Sequence, residues 1–185
     1  MNNKRNGNTD FGAFVRRQQT ASVEEERVDW VKEREDWLGN LRELYDQTES
    51  FLAEYIKAGE IKLNYRDIDL NEENIGTYSV RQMILKIGRQ EITMTPVGTL
   101  IFGAKGRVDI VGPAGRTRLV LVNGKASGPM VKVTVSIGGK PEPSDREATH
   151  EINWKWKIAT SPPNIQYVEL TQESLFQALM EVANG

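Results

Sequence analysis

The apolar residues of this chain keep one period before Gly59 and another after it. Upstream, Val23, Trp30, Trp37, Leu44 and Phe51 recur every seven residues, and Val31, Leu38, Tyr45 and Leu52 form a second row with the same spacing. Leu41 and Tyr55 stand four residues beyond Trp37 and Phe51, in a third row shared with Arg34 and Thr48. Three rows make a stripe wider than the two-position seam of a coiled coil. The pattern therefore predicts one long helix, from about Ser22 to Lys57, laid across a broad apolar surface. That surface is either the chain's own sheet or another protein chain. Ser22 with Glu25 reads as a capping box, Glu24, Glu25 and Glu26 suit the positive end of the helix dipole, and Gly59 is the stop signal.

Downstream the period is two. Ile61, Leu63 and Tyr65 share one face of a strand, as do Met83, Leu85 and Ile87, and then Ile92 and Met94. "TLIFG", "GRVDIVG" and "TRLVLVNG" follow, the last so continuously apolar that it reads as a central strand. "VKVTVSIGG" and "EINWKWKIAT" alternate cleanly, and "IQYVEL" is a short final strand. Short turns separate them, as in "GAKG", "GPAG" and "GGKPEPSD", with no segment long enough for a parallel crossover. The chain closes on "LTQESLFQALMEVANG", a short helix capped by Thr171 with Leu175, Leu179 and Val182 on one face and Phe176 and Met180 beside it. The expected class is α+β: a long N-terminal helix, an antiparallel meander curling into a barrel or sandwich, and a short C-terminal helix. The expected organisation is an N-terminal arm over 1–22, the helix over 23–58, and a β domain with its C-terminal helix over 59–185. The arm is polar apart from Phe11, Phe14 and Val15, followed by Arg16 and Arg17; it reads either as a tail whose aromatics lie loosely on the body or as a short docking motif.

Composition removes several chemistries. There is no cysteine, hence no disulfide, thiolate metal site or thiol nucleophile. No apolar run reaches the ~20 residues that span a bilayer, and the N-terminus has no apolar signal core, so a cytoplasmic protein without membrane contact is expected. His150 is the single histidine, placed beside "PEPSDREATH" where a surface histidine is the ordinary reading. Asp67, Asp69 and Asn71 open like a calcium loop, but Glu72 stands where that loop needs glycine and Tyr78 where it needs the bidentate Glu. The glycine-rich turns lack the G-K-[ST] of a phosphate loop. No catalytic set, metal site or cofactor site is expected.

Charge is unevenly distributed although the net is only −2. Between Gly76 and Lys140 ten basic residues face two acidic ones, while the long helix is acidic. These features lead to three expectations. The first is a non-enzymatic protein-binding or assembly subunit, or a homo-oligomer, acting through Phe11, Phe14, Trp30, Trp37, Leu41, Leu44, Phe51 and Tyr55. The second is nucleic-acid or other anion binding by Lys105, Arg107, Arg116, Arg118, Lys132, Lys155 and Lys157. Strand alternation puts Trp154 and Trp156 opposite Lys155 and Lys157, which separates stacking rings from phosphate-binding cations and weakens that reading. The third is a small-ligand barrel.

Overall fold

The computed structural model describes residues 29–99, 104–129 and 153–184, together with Gly12. Helix α1 spans Trp30–Lys57. Seven strands follow: β1 Ile61–Glu72, β2 Gly76–Ile87, β3 Gln90–Gly98, β4 Gly106–Gly112, β5 Gly115–Asn123, β6 Trp154–Ala159 and β7 Tyr167–Glu169. Helix α2, Gln172–Asn184, ends the fold. The strands form one antiparallel sheet in sequence order, so the α+β layout read from the periods is the one observed. Among the described residues the sheet stays open instead of curling shut, with β1 and β7 as its edges. The two helices supply the second layer that a barrel would obtain by closure. The strand expected in "VKVTVSIGG" lies outside the described residues.

The N-cap of α1 is Asp29, whose carboxylate accepts the Lys32 N–H at 3.1 Å, seven residues later in the chain than the expected cap; Ser22 and Val23 lie outside the described residues. The C-terminal stop is as the glycine implies. Gly59 has φ 76°, its N–H reaches the Ile56 carbonyl and the Glu60 N–H reaches the Tyr55 carbonyl, which is the two-bond Schellman closure. The buried face of α1 is Trp37, Leu41, Leu44, Tyr45, Thr48 and Leu52. The rows through Trp37 and Leu41 are buried only in their middle, because a straight helix turns a seven-residue row by ~20° per repeat. The row Val31, Leu38, Tyr45, Leu52 thus begins exposed and ends in the core.

Each helix meets β4 over a glycine. A Cβ on Gly106 would overlap the six-membered ring of Trp37, and one on Gly112 would overlap the Val182 carbonyl of α2. The Ala114 N–H donates to that carbonyl at 2.9 Å, tying the β4–β5 turn to the end of α2. Between these points Val108, Ile110, Leu119 and Leu121 fill the core with Met83, Leu85, Ile92 and Met94, all buried. Two more anchors hold α1 down. The Trp156 indole N–H donates to the Asn40 carbonyl at 2.9 Å, and the Tyr45 hydroxyl donates to the Arg81 carbonyl at 2.7 Å.

The long β1–β2 hairpin bends. Its register runs unbroken from Ile61↔Ile87 to Glu72↔Gly76, yet β2 pairs with β3 only from Met83 onward. Tyr78, Val80 and Gln82 are buried at even positions, Met83 and Leu85 at odd ones. Where β3 leaves, the hairpin turns its other face to the core, and its tip packs Tyr78 and Val80 there. The Glu72 carboxylate fastens the tip by accepting from the Tyr78 hydroxyl, from the Thr99 N–H at 2.8 Å and from the Thr99 hydroxyl at 2.7 Å. Pro96 is tolerated in β3 because β2 has already left that side of the strand.

Candidate functional site

Trp37 and Tyr55 lie eighteen residues apart on α1, five complete turns at 3.6 residues each, so they point in the same direction from the helix axis. Trp37 is 0% exposed and Tyr55 is 41% exposed. The difference is what lies beneath them. Trp37 sits on β4 and meets Trp156 with ring centroids 6.0 Å apart. Tyr55 overhangs a cleft of about 360 Å³ where the end of α1 parts from α2. Leu52, Ile61 and Ile87 form its floor, and Phe176, Leu179 and Met180 of α2 form its other wall. The Tyr55 and Phe176 rings meet edge to face across it, with centroids 5.6 Å apart and planes at 79°. The Gln172 side chain donates to the Phe51 carbonyl at 3.0 Å and fixes the spacing of the two helices. Met180 stands 58% exposed on the rim. Glu60 is the one carboxylate in the lining.

The residues expected to bind a protein divide accordingly. Trp37, Leu41 and Leu44 are core, covered by the chain's own sheet. Trp30 is half-buried, and Phe51 is half-buried against the core. Tyr55 alone of the α1 set is exposed at the cleft. Phe11 and Phe14 lie outside the described residues. Phe176 and Met180, on the other wall, were legible only as flanking positions of a short helix, because no sequence period shows that α1 and α2 meet.

Three of the seven expected cations have internal partners. Lys105 pairs with Asp36 at 3.2 Å and Glu33 at 3.8 Å and lies over the Trp154 ring, pinning the start of α1 to β4. Arg107 grips Asp109 with two nitrogens at 2.6 and 2.7 Å, and that carboxylate holds its guanidinium above its usual range. Lys157 is 4% exposed. Its ammonium donates to the Gly124 and Ala126 carbonyls at 2.8 and 2.9 Å and pairs with Glu169 at 2.7 Å. Three cations remain on the sheet face away from the helices: Arg116, Arg118 and Lys155. Lys132 and His150 lie outside the described residues. Trp154 and Trp156 face the helices, as strand alternation requires.

Three tyrosines on the α1 side of the fold have hydroxyls held above the usual range. For Tyr45 the cause is burial; for Tyr65 it is burial and then the bond to Glu49 at 2.5 Å; for Tyr78 it is burial and then the bond to Glu72. All three act as neutral donors that fasten elements together. Asp67 and Asp69 lie on extended β1 opposite Arg81 and Ser79, and no cluster of three potential metal ligands exists among the described residues. No helix among them is long and apolar enough to cross a membrane. Comparison with protein-family models, curated proteins and solved structures finds no match to this chain.

Proposed function

We propose that the chain is a protein-binding module, and that the cleft between α1 and α2 receives an apolar segment of its partner. The observation that carries this reading is the exposure of Tyr55 on the same line of the helix that buries Trp37. Tyrosine is a favoured anchor at protein interfaces, and an exposed methionine beside it gives a wall that adapts to the occupant. A cavity of about 360 Å³ accepts one or two side chains. One or two side chains cover only part of the ~800 Å² per partner of a standard interface, so the cleft serves as an anchor point within a larger contact. The alternative of an anion-binding β face has only Arg116, Arg118 and Lys155 unpaired among its described candidates, and the reading of a ligand-filled barrel fits poorly with a sheet whose inner face is closed by side chains.

The test is site-specific photo-crosslinking. A benzoylphenylalanine at position 55 of the full chain, expressed in its native host, is expected to give a discrete protein adduct that Met180→Glu removes. The same probe at position 116 should not give it. An adduct indifferent to Met180→Glu, or none, would sink the reading.

A further inference from the structure

We infer that the chain carries its own occupant for this cleft: residues 11–17 of the N-terminal arm dock there intramolecularly and compete with the partner. The inference rests on the cleft assigned above but names a different ligand for it. The cleft asks for an apolar anchor with a cation next to it, since its wall is Phe176 and Met180 and its one carboxylate is Glu60. The arm offers Phe11 and Phe14, then Arg16 and Arg17. Gly12, the one described residue of the arm, is helical. In the sequence Phe11 and Phe14 stand three apart with both arginines immediately after, the spacing of anchors on one face of a docking helix. That spacing suits the helix-in-groove mode of recognition.

Charge favours the same pairing. Residues 1–20 carry Lys4, Arg5, Arg16 and Arg17 against Asp10 alone. The second half of α1, residues 44–57, carries Asp46, Glu49 and Glu54, with Lys57 the only base, and Glu60 follows it. Reach is sufficient. From Asp29 to Tyr55 along the helix is ~39 Å at 1.5 Å per residue. The fifteen residues from Phe14 to Asp29 extend to ~50 Å. The tether also decides against the arm of a second copy, because a linked segment is present at an effective concentration that a separate molecule at micromolar levels does not match. The arm and a partner segment then exclude one another, and the partner binds only as the arm leaves.

The absence of cysteine allows a direct measurement on the full chain. Spin labels at Gln18→Cys and Ala53→Cys should give a narrow, short-distance peak by pulsed electron spin resonance. Phe11→Ala with Phe14→Ala should abolish that peak, as should Met180→Glu, while a ninefold excess of unlabelled chain leaves it unchanged. A broad, long distribution indifferent to these substitutions overturns the inference, and loss of the peak on dilution overturns its intramolecular form. Crosslinking from position 55 judges the cleft separately: a Met180-dependent adduct without the spin-label peak means that a partner uses the cleft and the arm does not.

Discussion

The Trp37 ring occupies the space where Gly106 would carry a Cβ. This contact sets how closely α1 lies on β4, and it works only because β4 begins with a residue that has no side chain. Gly106→Ala should therefore destabilise the fold by about 1–3 kcal/mol through overpacking, lowering the melting temperature by ~2–4 °C for each kcal/mol. Trp37→Leu alone costs transfer and cavity energy, but combined with Gly106→Ala it should lose less than the sum of the two. Thermal melts of the four members of this cycle measure the coupling. Strict additivity would mean that the ring is not what Gly106 accommodates.

Lys157 provides a second measure of how the sheet face away from the helices is held. Its ammonium clasps two carbonyls of the turn after β5 and also Glu169. Lys157→Met keeps the apolar stem and removes the donors. The expected loss is on the order of 2–3 kcal/mol, the range for charged hydrogen bonds with little solvent. Amide exchange should rise selectively over residues 123–129. Exchange that rises evenly across the sheet would assign Lys157 a different role.

The same residue marks what a pattern can convey. The alternation in "NWKWKIA" correctly separates Trp156 from Lys157, because a strand sends neighbours to opposite faces. It does not say that the lysine face is covered there, since that depends on Gly124 and Ala126 arriving from a distant turn. Likewise the period of α1 reveals a wide stripe, but not where the sheet beneath it stops. Tyr55 and Trp37 are equivalent by period and differ only because β4 and β6 reach one and not the other. Ser22 and Asp29 are both competent caps in the sequence; Asp29 caps the described helix, and Ser22 lies outside the described residues. The bend of the β1–β2 hairpin leaves only a faint trace, the adjacent buried pair Gln82–Met83, which a strict period of two reads as noise.

Tyrosine ionisation gives a prediction with a definite sign. Tyr45, Tyr65 and Tyr78 have folded pKa values raised above the ordinary ~10 of the free side chain, chiefly by burial. Between the unfolded and folded values the native chain binds more protons than the unfolded one, so stability falls as pH rises through that window. The full contribution is present below about pH 10 and declines above it. Denaturant titrations at stepped alkaline pH should show this decline, with phenolate absorbance in the native chain lagging that of the chain in urea. Coincident native and denatured titration curves would contradict the burial of these hydroxyls.

Nucleic-acid binding through the expected cations of the β4–β6 face, where it occurs, works with few free ones among the described residues. Lys105, Arg107 and Lys157 already have carboxylate partners, and releasing them would loosen α1, β4 and the turn after β5. Arg116, Arg118 and Lys155 remain. Three phosphate contacts give a slope of about −2 to −3 in log affinity against log salt, and binding from so few contacts should vanish near physiological salt. A salt-titrated mobility shift with single- and double-stranded oligonucleotides is expected to show at most this shallow dependence, and none after Arg116→Gln, Arg118→Gln and Lys155→Gln together. A slope of −6 or steeper would require at least twice as many cations. It would mean that the internal pairs open on binding, or that bases outside the described residues join the contact, and would move the functional surface from the helix cleft to the opposite face of the sheet.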